Sequence, residues 1–266
     1  MKYTVLSLFP EICDAYFASS IMAKAVSRGI VEYRAVNIRD YACDKHRTCD
    51  DAPYGGGPGM LMLSEPLGSA LEAALPQPEI SNDEIAMGAK PSRVIYLSPS
   101  GRPFNQALAR ELAAERELIL ICGRYEGIDQ RIIDIYVDDE ISVGDYVLSS
   151  GEVAALALID ATYRLIEQVI TPSSLEEESF ERGLLEYPQY TRPEIYAMLR
   201  VPEVLLSGHH ENIRRWRLEK RVEKTLSNRP DLILWGEENF LFDEETSKII
   251  AEKRLTTHEW SDKEKR

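Results

Sequence analysis

Three groups of residues in this chain have the types and spacing to do chemistry. The first is a set of turns that follow apolar runs: YLSPSG (Tyr96–Gly101), CGRYEGID (Cys122–Asp129) and SVGDYVLSSGE (Ser142–Glu152). Glycine at the carboxyl end of a strand leaves the backbone bare for a ligand, and open parallel sheets bind ligands beyond those ends. Any one of these turns is equally an ordinary strand–turn–helix connection, but three at one sheet edge can surround one small ligand. The second group is acidic: Glu176, Glu177, Glu178 and Glu186. These carboxylates either accept protons in catalysis or belong to a solvated linker. The third group is GHHENIRRWR (Gly208–Arg217). His209 and His210 are adjacent, so they cannot form a metal-binding face on one helix. Arg214, Arg215 and Arg217, with Trp216 interleaved, suit either a solvated helix face or contact with RNA phosphates and bases.

A fourth stretch, PYGGGPGM (Pro53–Met60), carries Gly55, Gly56, Gly57 and Gly59. A nucleotide-phosphate cradle needs a lysine and a Ser/Thr after its last glycine, and here Met60 and Leu61 follow. The dinucleotide fingerprint fails as well, because no strand leads directly into the loop and no helix directly out of it. What remains is a tight structural turn or a bare backbone for another partner. Asp50 and Asp51 stand beside it, with the basic KHR just before.

The elements that must position these groups follow from hydrophobic patterning. YTVLSLF, IVEYRAVNI, RVIYLSP and ELILICG read as strands, and the stretches between them as helices. PEICDAYFASSIMAKAVSRG predicts one helix stopped by Gly29, and NQALARELAAER a helix capped by Asn105. SEPLGSALEAAL predicts a short helix, and PQPEISNDEIAMGAKP a surface excursion. GEVAALALIDATYRLIEQVI, apolar almost all round, predicts one long buried helix. Such alternation specifies an α/β fold with a mostly parallel sheet. TPSSLEEESFERG has no periodicity and marks a linker. Beyond it, RPEIYAMLR, HHENIRRWRLEKRVEKTL and TSKIIAEKRL are helical patterns. The expected organisation is 1–170, an α/β domain; 171–182, a linker; and 183–266, a small all-helical domain.

Composition narrows the function classes. The chain has 266 residues, 44% of them hydrophobic, enough for an extensive core. No apolar run approaches the roughly 20 residues that span a bilayer, and Met1 leads directly into a strand-like segment with no secretory pattern. The four cysteines are scattered, which fits reduced thiols in a cytoplasmic protein and neither a zinc site nor a disulfide framework. The formal net charge of −14 argues against broad, unspecific nucleic-acid binding. Yet from Ser207 to Arg229 seven Lys/Arg face three Glu, a local net charge of +4. A basic patch on an acidic protein is a specific electrostatic feature.

Taken in order, PYGGGPGM, YLSPSG, CGRYEGID, VGDYVLSSGE, GLLEYPQYTRP and SGHHENIRRWR resemble the motifs of the bacterial tRNA (guanine-N1)-methyltransferase family, over about Met1 to Arg229. The resemblance implies a SPOUT domain, whose parallel sheet carries a C-terminal trefoil knot, one of the rare exceptions to unknotted chain topology. It implies S-adenosylmethionine held in a bent shape by three loops. Those loops supply Tyr96, Leu97, Ser98 and Pro99; Gly123, Tyr125 and Glu126; and Val143, Gly144, Asp145, Tyr146, Val147 and Leu148 with Gly151. It further implies an obligate homodimer with composite active sites, tRNA as substrate and, in family members, magnesium dependence. Methylation falls on guanine N1 of the nucleotide just 3′ of the anticodon. The base matches Glu178, the helper cation Arg164 in the long helix, and the residue holding the target guanine Glu186. The glycine loop, with Asp50 or Asp51, falls on the tRNA side of the cleft, and Arg214, Arg215 and Arg217 on the tRNA-binding domain.

Four positions depart from the family pattern: Glu178 and Glu186 each stand where an aspartate is usual, Ser150 replaces a glycine and Ala52 an arginine. The longer Glu178 side chain moves its carboxylate by over about 1 Å. Two rival readings are a methyltransferase of the same fold acting on a ribose hydroxyl or another base, and a non-catalytic RNA-binding protein. The linker carboxylate and GLLEYPQYTRP favour the guanine-N1 reading, because transfer to a 2′-hydroxyl does not need this base.

Overall fold

Long apolar runs place the strands, and their parallel pairing makes one central sheet. The computed structural model describes residues 1–75, 91–171, 178–180 and 182–263, with side chains of the last helix as far as Leu255. Most of the proline-rich excursion, together with Glu176 and Glu177, lies outside the described residues. The chain divides into two units, Met1–Ile170 and Thr171–Arg266.

In the first unit, β1 (Lys2–Ser7), β2 (Glu32–Asn37), β5 (Arg93–Pro103), β6 (Glu117–Cys122) and β7 (Asp139–Ser142) form a sheet in the order β2-β1-β6-β5-β7, all parallel. The α/β reading with a parallel sheet is therefore borne out. Both faces are covered, which is why the central strands are largely apolar. On one face Tyr3, Val5, Ile95, Leu97, Leu118 and Leu120 pack against α1 (Glu11–Phe17), α2 (Ser20–Ser27), α4 (Gln106–Ala113) and α6 (Gly151–Tyr163). On the other, Leu6, Val94, Tyr96, Ile119 and Ile121 pack against α3 (Ser64–Ala74) and α5 (Gln130–Tyr136). The Asn105 side chain caps α4 as predicted, accepting from Leu108 N at 2.9 Å. A two-stranded antiparallel hairpin, β3 (Asp50–Asp51) with β4 (Leu61–Met62), carries the glycine loop.

Four elements differ from expectation. The first helical stretch breaks into α1 and α2, because the Ser19 hydroxyl bonds back to Ala15 O at 2.6 Å and Ser20 takes a left-handed φ of 51°. The long helix stops at Tyr163. Leu165 N and Ile166 N bond three residues back to Thr162 O and Tyr163 O, so Arg164 caps the helix rather than lying within it. β7 is too short and too acidic to stand out in sequence; its partner β5 defines it. RPEIYAMLR forms no helix: β8 (Ile195–Tyr196) and β9 (Leu199–Arg200) make a hairpin turned by Ala197 and Met198, both left-handed.

The second unit otherwise consists, among the described residues, of α7 (Glu203–Leu206), α8 (His210–Asn228), α9 (Pro230–Glu238) and α10 (Glu244–Lys263). Leu184, Val222, Ile233, Ile249 and Ile250 form its core.

Candidate active site

The pocket of the first unit is built where β5, β6 and β7 deliver their loops. β5 does not end at YLSP. Its pairing with β7 jumps from Leu97 to Arg102, both opposite Ile141, so Ser98–Gly101 leaves the ladder as a bulge inside a longer strand. Gly101 permits this: a Cβ there would lie 2.4 Å from Ile141 N. The second loop turns at Arg124–Gly127, closed by Gly127 N to Arg124 O at 3.1 Å, with Tyr125 at a φ of 58°. The third runs from β7 to Gly151, whose N–H donates to Gly123 O at 2.9 Å. A Cβ on Gly151 would lie 2.7 Å from Cys122 Cα and Gly123 N, so the second and third loops meet backbone to backbone.

These loops enclose a pocket of about 190 Å³ that opens to solvent. Its lining contains Tyr96, Leu97, Ser98, Pro99, Gly123, Tyr125, Glu126, Val143, Gly144, Tyr146, Val147, Leu148 and Gly151. Of the sequence-derived cofactor set, only Asp145 is outside this lining. Sequence reasoning omitted Arg124, Gly127, Ile141, Ser142, Ser149 and Ala154, and gave Ser150 only as a departure beside the cofactor, yet all seven line the pocket. Arg124, Gly127, Ser142 and Ser149 could have been found by their place within the quoted motifs.

One lining residue, Arg124, faces a buried carboxylate. Glu152, fully buried, accepts from Ser7 Oγ at 2.5 Å, and its other oxygen is 3.6 Å from Arg124 Nη2. The Arg124 guanidinium also sits 4.4 Å above the Phe9 ring. Neither Glu152 Oε2 nor Arg124 Nε has a hydrogen-bond partner among the described residues. Burial, reinforced by the Glu152 charge, holds the Cys122 thiol well above its ordinary range, so it stays neutral.

The glycine loop is tied to this pocket. Glu126 N donates to Met60 O at 3.0 Å and Met62 N to Gly127 O at 3.0 Å. Tyr125 OH donates to Asp50 Oδ1 at 3.2 Å, and burial followed by the Asp50 charge raises the Tyr125 pKa. Asp51 Oδ1 accepts from Ala52 N at 2.7 Å. Gly55, Gly56 and Gly57 all have positive φ, and a Cβ on any of them would meet nothing within 4 Å. Gly59 differs: its Cβ would fall 2.4 Å from Glu126 Cγ.

Other candidates stand apart. Arg164 is at the far end of α6 from Gly151. With 13 residues in that helix at 1.5 Å each, the separation is about 20 Å. Arg164 therefore cannot reach the pocket of its own chain. In the second unit, Glu178 and Glu186 flank one turn: Glu186 N donates to Ser179 Oγ at 3.1 Å and Phe180 N to Leu184 O at 2.9 Å. Gln189 donates to the Glu186 carboxylate. Arg214 pairs with Glu211 at 2.8 Å and Glu245 at 2.9 Å, and Arg215 with Glu219 at 3.0 Å. The Arg217 guanidinium lies 4.7 Å from the centre of the Tyr187 ring. All three arginines are thus engaged within their own unit. A second pocket there, of about 490 Å³, is lined by Arg182, Arg214 and Arg221 with Asp243 and Phe242.

A doubly covered parallel sheet whose strand-end loops converge on one pocket defines an α/β ligand-binding protein. The particular family is given by comparison with known proteins. Residues 1–235 match the family described as tRNA (Guanine-1)-methyltransferase TrmD, and the chain belongs to that family. It is 60% identical over 252 residues to a tRNA (guanine-N(1)-)-methyltransferase of Treponema denticola, covering 95% of this chain and 98% of the relative. A protein of the same name from Treponema pallidum is 56% identical over 252 residues, covering 95% and 96%. One from Borrelia duttonii is 55% identical over 250 residues, covering 91% and 99%.

Proposed function

We propose that this protein transfers a methyl group from S-adenosylmethionine to guanine N1 of the tRNA nucleotide immediately 3′ of the anticodon, and so supports reading-frame maintenance in the cytoplasm. The observation that carries this reading is the convergence of the three motif-bearing loops on one pocket. The pocket residues fit the cofactor. Tyr96, Leu97, Ile141, Val143 and Ala154 offer apolar walls for an adenine, while Glu126 and Ser98 offer polar ends. The glycines at 123 and 151 keep the backbone of the rim bare. When bound, the cofactor supplies an electrophilic methyl on its sulfonium.

The remaining chemistry falls to this chain's side chains. Guanine N1 carries a proton and is a poor nucleophile. Glu178 removes that proton, and Arg164 faces O6, where negative charge develops. Glu186 holds the target base, and the bare backbone of Gly55–Gly57 admits its plane beside Asp50 and Asp51. Because Arg164 is out of reach of its own pocket, a homodimer completes each site: the pocket belongs to one copy and Arg164 to the other. The close crossings at Gly101 and Gly151 suit a trefoil knot in the sheet domain 1–170. The linker is 171–182, and the domain 183–266 with Arg214, Arg215 and Arg217 takes the tRNA. Among the described residues no three His, Cys, Asp or Glu gather closely enough to hold a metal ion.

The test is incubation with labelled S-adenosylmethionine and tRNAs that differ only at the base after the anticodon. Incorporation should require guanosine there; equal labelling of an adenosine variant would refute the reading. Glu178→Gln should lower the single-turnover rate at least about 100-fold while cofactor binding persists.

A further inference from the structure

Glu178 and Glu186 do not sit on an open linker. Of the described residues between them, Phe180, Arg182 and Gly183 are left-handed at φ 72°, 49° and 73°. Its far side is pinned to α8. Leu184 is buried in the core of the helical unit. Leu185 N donates to Thr225 Oγ1 at 2.9 Å, and Leu185 O accepts from Arg221 Nε at 3.3 Å. Thr225 is itself fully buried and donates to Arg221 O at 2.7 Å, so its oxygen is fixed in place. On the near side, the Arg229 guanidinium lies 5.9 Å from the Phe180 ring centre, and the Ser179 hydroxyl ties back to Glu186 N. Arg221 and Arg229 belong to the basic stretch read from sequence as a patch for RNA, and here both face the turn.

We infer that Thr225 on α8 and Ser179 in the turn are positioning residues for the Glu178–Glu186 turn, so that the helical unit frames the proton-accepting carboxylate as well as binding tRNA. This rests on the reading of Glu178 as the base. A residue with two hydrogen bonds to backbone, fully buried, fixes where the chain on its other side can go. Non-glycine residues with left-handed φ, here Phe180 and Arg182, persist only when neighbours enforce that conformation. Thr225 enforces the far side and Ser179 closes the near side, which sets where the Glu178 backbone emerges.

The experiment uses the full chain with Thr225→Val, Thr225→Ser, Ser179→Ala and Glu178→Gln. Single-turnover methylation is measured at saturating tRNA and S-adenosylmethionine, with dissociation constants for both and circular dichroism to confirm folding. Thr225→Val and Ser179→Ala should each lose tenfold or more in rate with both dissociation constants within twofold of wild type, and Thr225→Ser should restore the rate to within twofold. Wild-type rates in folded Ser179→Ala and Thr225→Val, with Glu178→Gln inactive, would overturn the inference alone. A rate loss that tracks weakened tRNA binding would also overturn it, because it assigns these residues to the RNA clamp. If Thr225→Val does not fold, Ser179→Ala decides. Normal turnover in Glu178→Gln instead refutes the base assignment, and the inference with it.

Discussion

Glycine serves opposite purposes in two parts of the sheet unit. In the loop Gly55–Gly57 it answers a backbone requirement: φ is positive, and the space where a side chain would begin is empty. At Gly101 and Gly151 it answers a spatial one: the added carbon would fall 2.4 and 2.7 Å from neighbouring backbone atoms. The first arrangement leaves room for something from outside the chain. The second lets two stretches of backbone pack closely enough to shape the pocket. Gly59 lies between the two, with positive φ and the Glu126 side chain against it.

Substitution by alanine separates these purposes by size of effect. Gly101→Ala forces backbone atoms of β7 to move and should cost about 3 kcal/mol or more, read by chemical denaturation together with loss of cofactor binding. A change under 1 kcal/mol would show that the close packing yields easily and would break the comparison. Gly59→Ala combines strain with displacement of a mobile carboxylate and should cost about 2 kcal/mol. Because Glu126 lines the pocket, the same variant should weaken cofactor binding by calorimetry. Gly56→Ala meets no atoms and should cost only about 1 kcal/mol, leaving cofactor affinity unchanged while tRNA affinity falls. If tRNA affinity holds, the open loop is a turn and nothing more.

The smallest effect near neutrality needs no substitution. Cys122, against the Gly151 backbone, and Cys13, pushed up to about 12, are held neutral chiefly by burial. A raised folded pKa gives stability that is complete below the unfolded value, about 8.5, and is lost as pH rises above it. Denaturation midpoints should therefore be flat from pH 6 to 8 and decline above about pH 9. Thiol reagents should label exposed Cys43 at once and Cys122 only on unfolding. Rapid labelling of Cys122 would mean that the packing of Gly151 on Cys122 opens.

Much of the sheet unit was legible because its strands are long, apolar and buried on both faces. Its pocket loops were legible because glycines mark them. β7 was not, since Asp139–Ser142 has little hydrophobic signal and exists through its pairing with β5. The bulge at Ser98–Gly101 was read as a strand end because only the partner strand reveals that pairing resumes at Arg102. RPEIYAMLR misled for a different reason. Its apolar residues recur at helical spacing, yet Ile195, Tyr196, Met198 and Leu199 are all exposed, and the turn uses Ala197 and Met198 where glycine or asparagine would have announced it. The arginines of α8 were legible as a charge cluster, but their partners Glu211, Glu219, Glu245 and Tyr187 depend on helix phase and tertiary packing.

The helix α6 begins at the pocket with Gly151 and is capped at its other end by Arg164. In the proposed dimer its two ends therefore serve different reaction centres, and the helix acts as a ruler between them. Each residue adds 1.5 Å and a rotation of about 100°. A single inserted residue would shift the distance only slightly but swing Arg164 by more than a quarter turn. The length of this helix is thus constrained in phase as well as in distance: a change of about one turn would restore the phase but move Arg164 by about 5.4 Å.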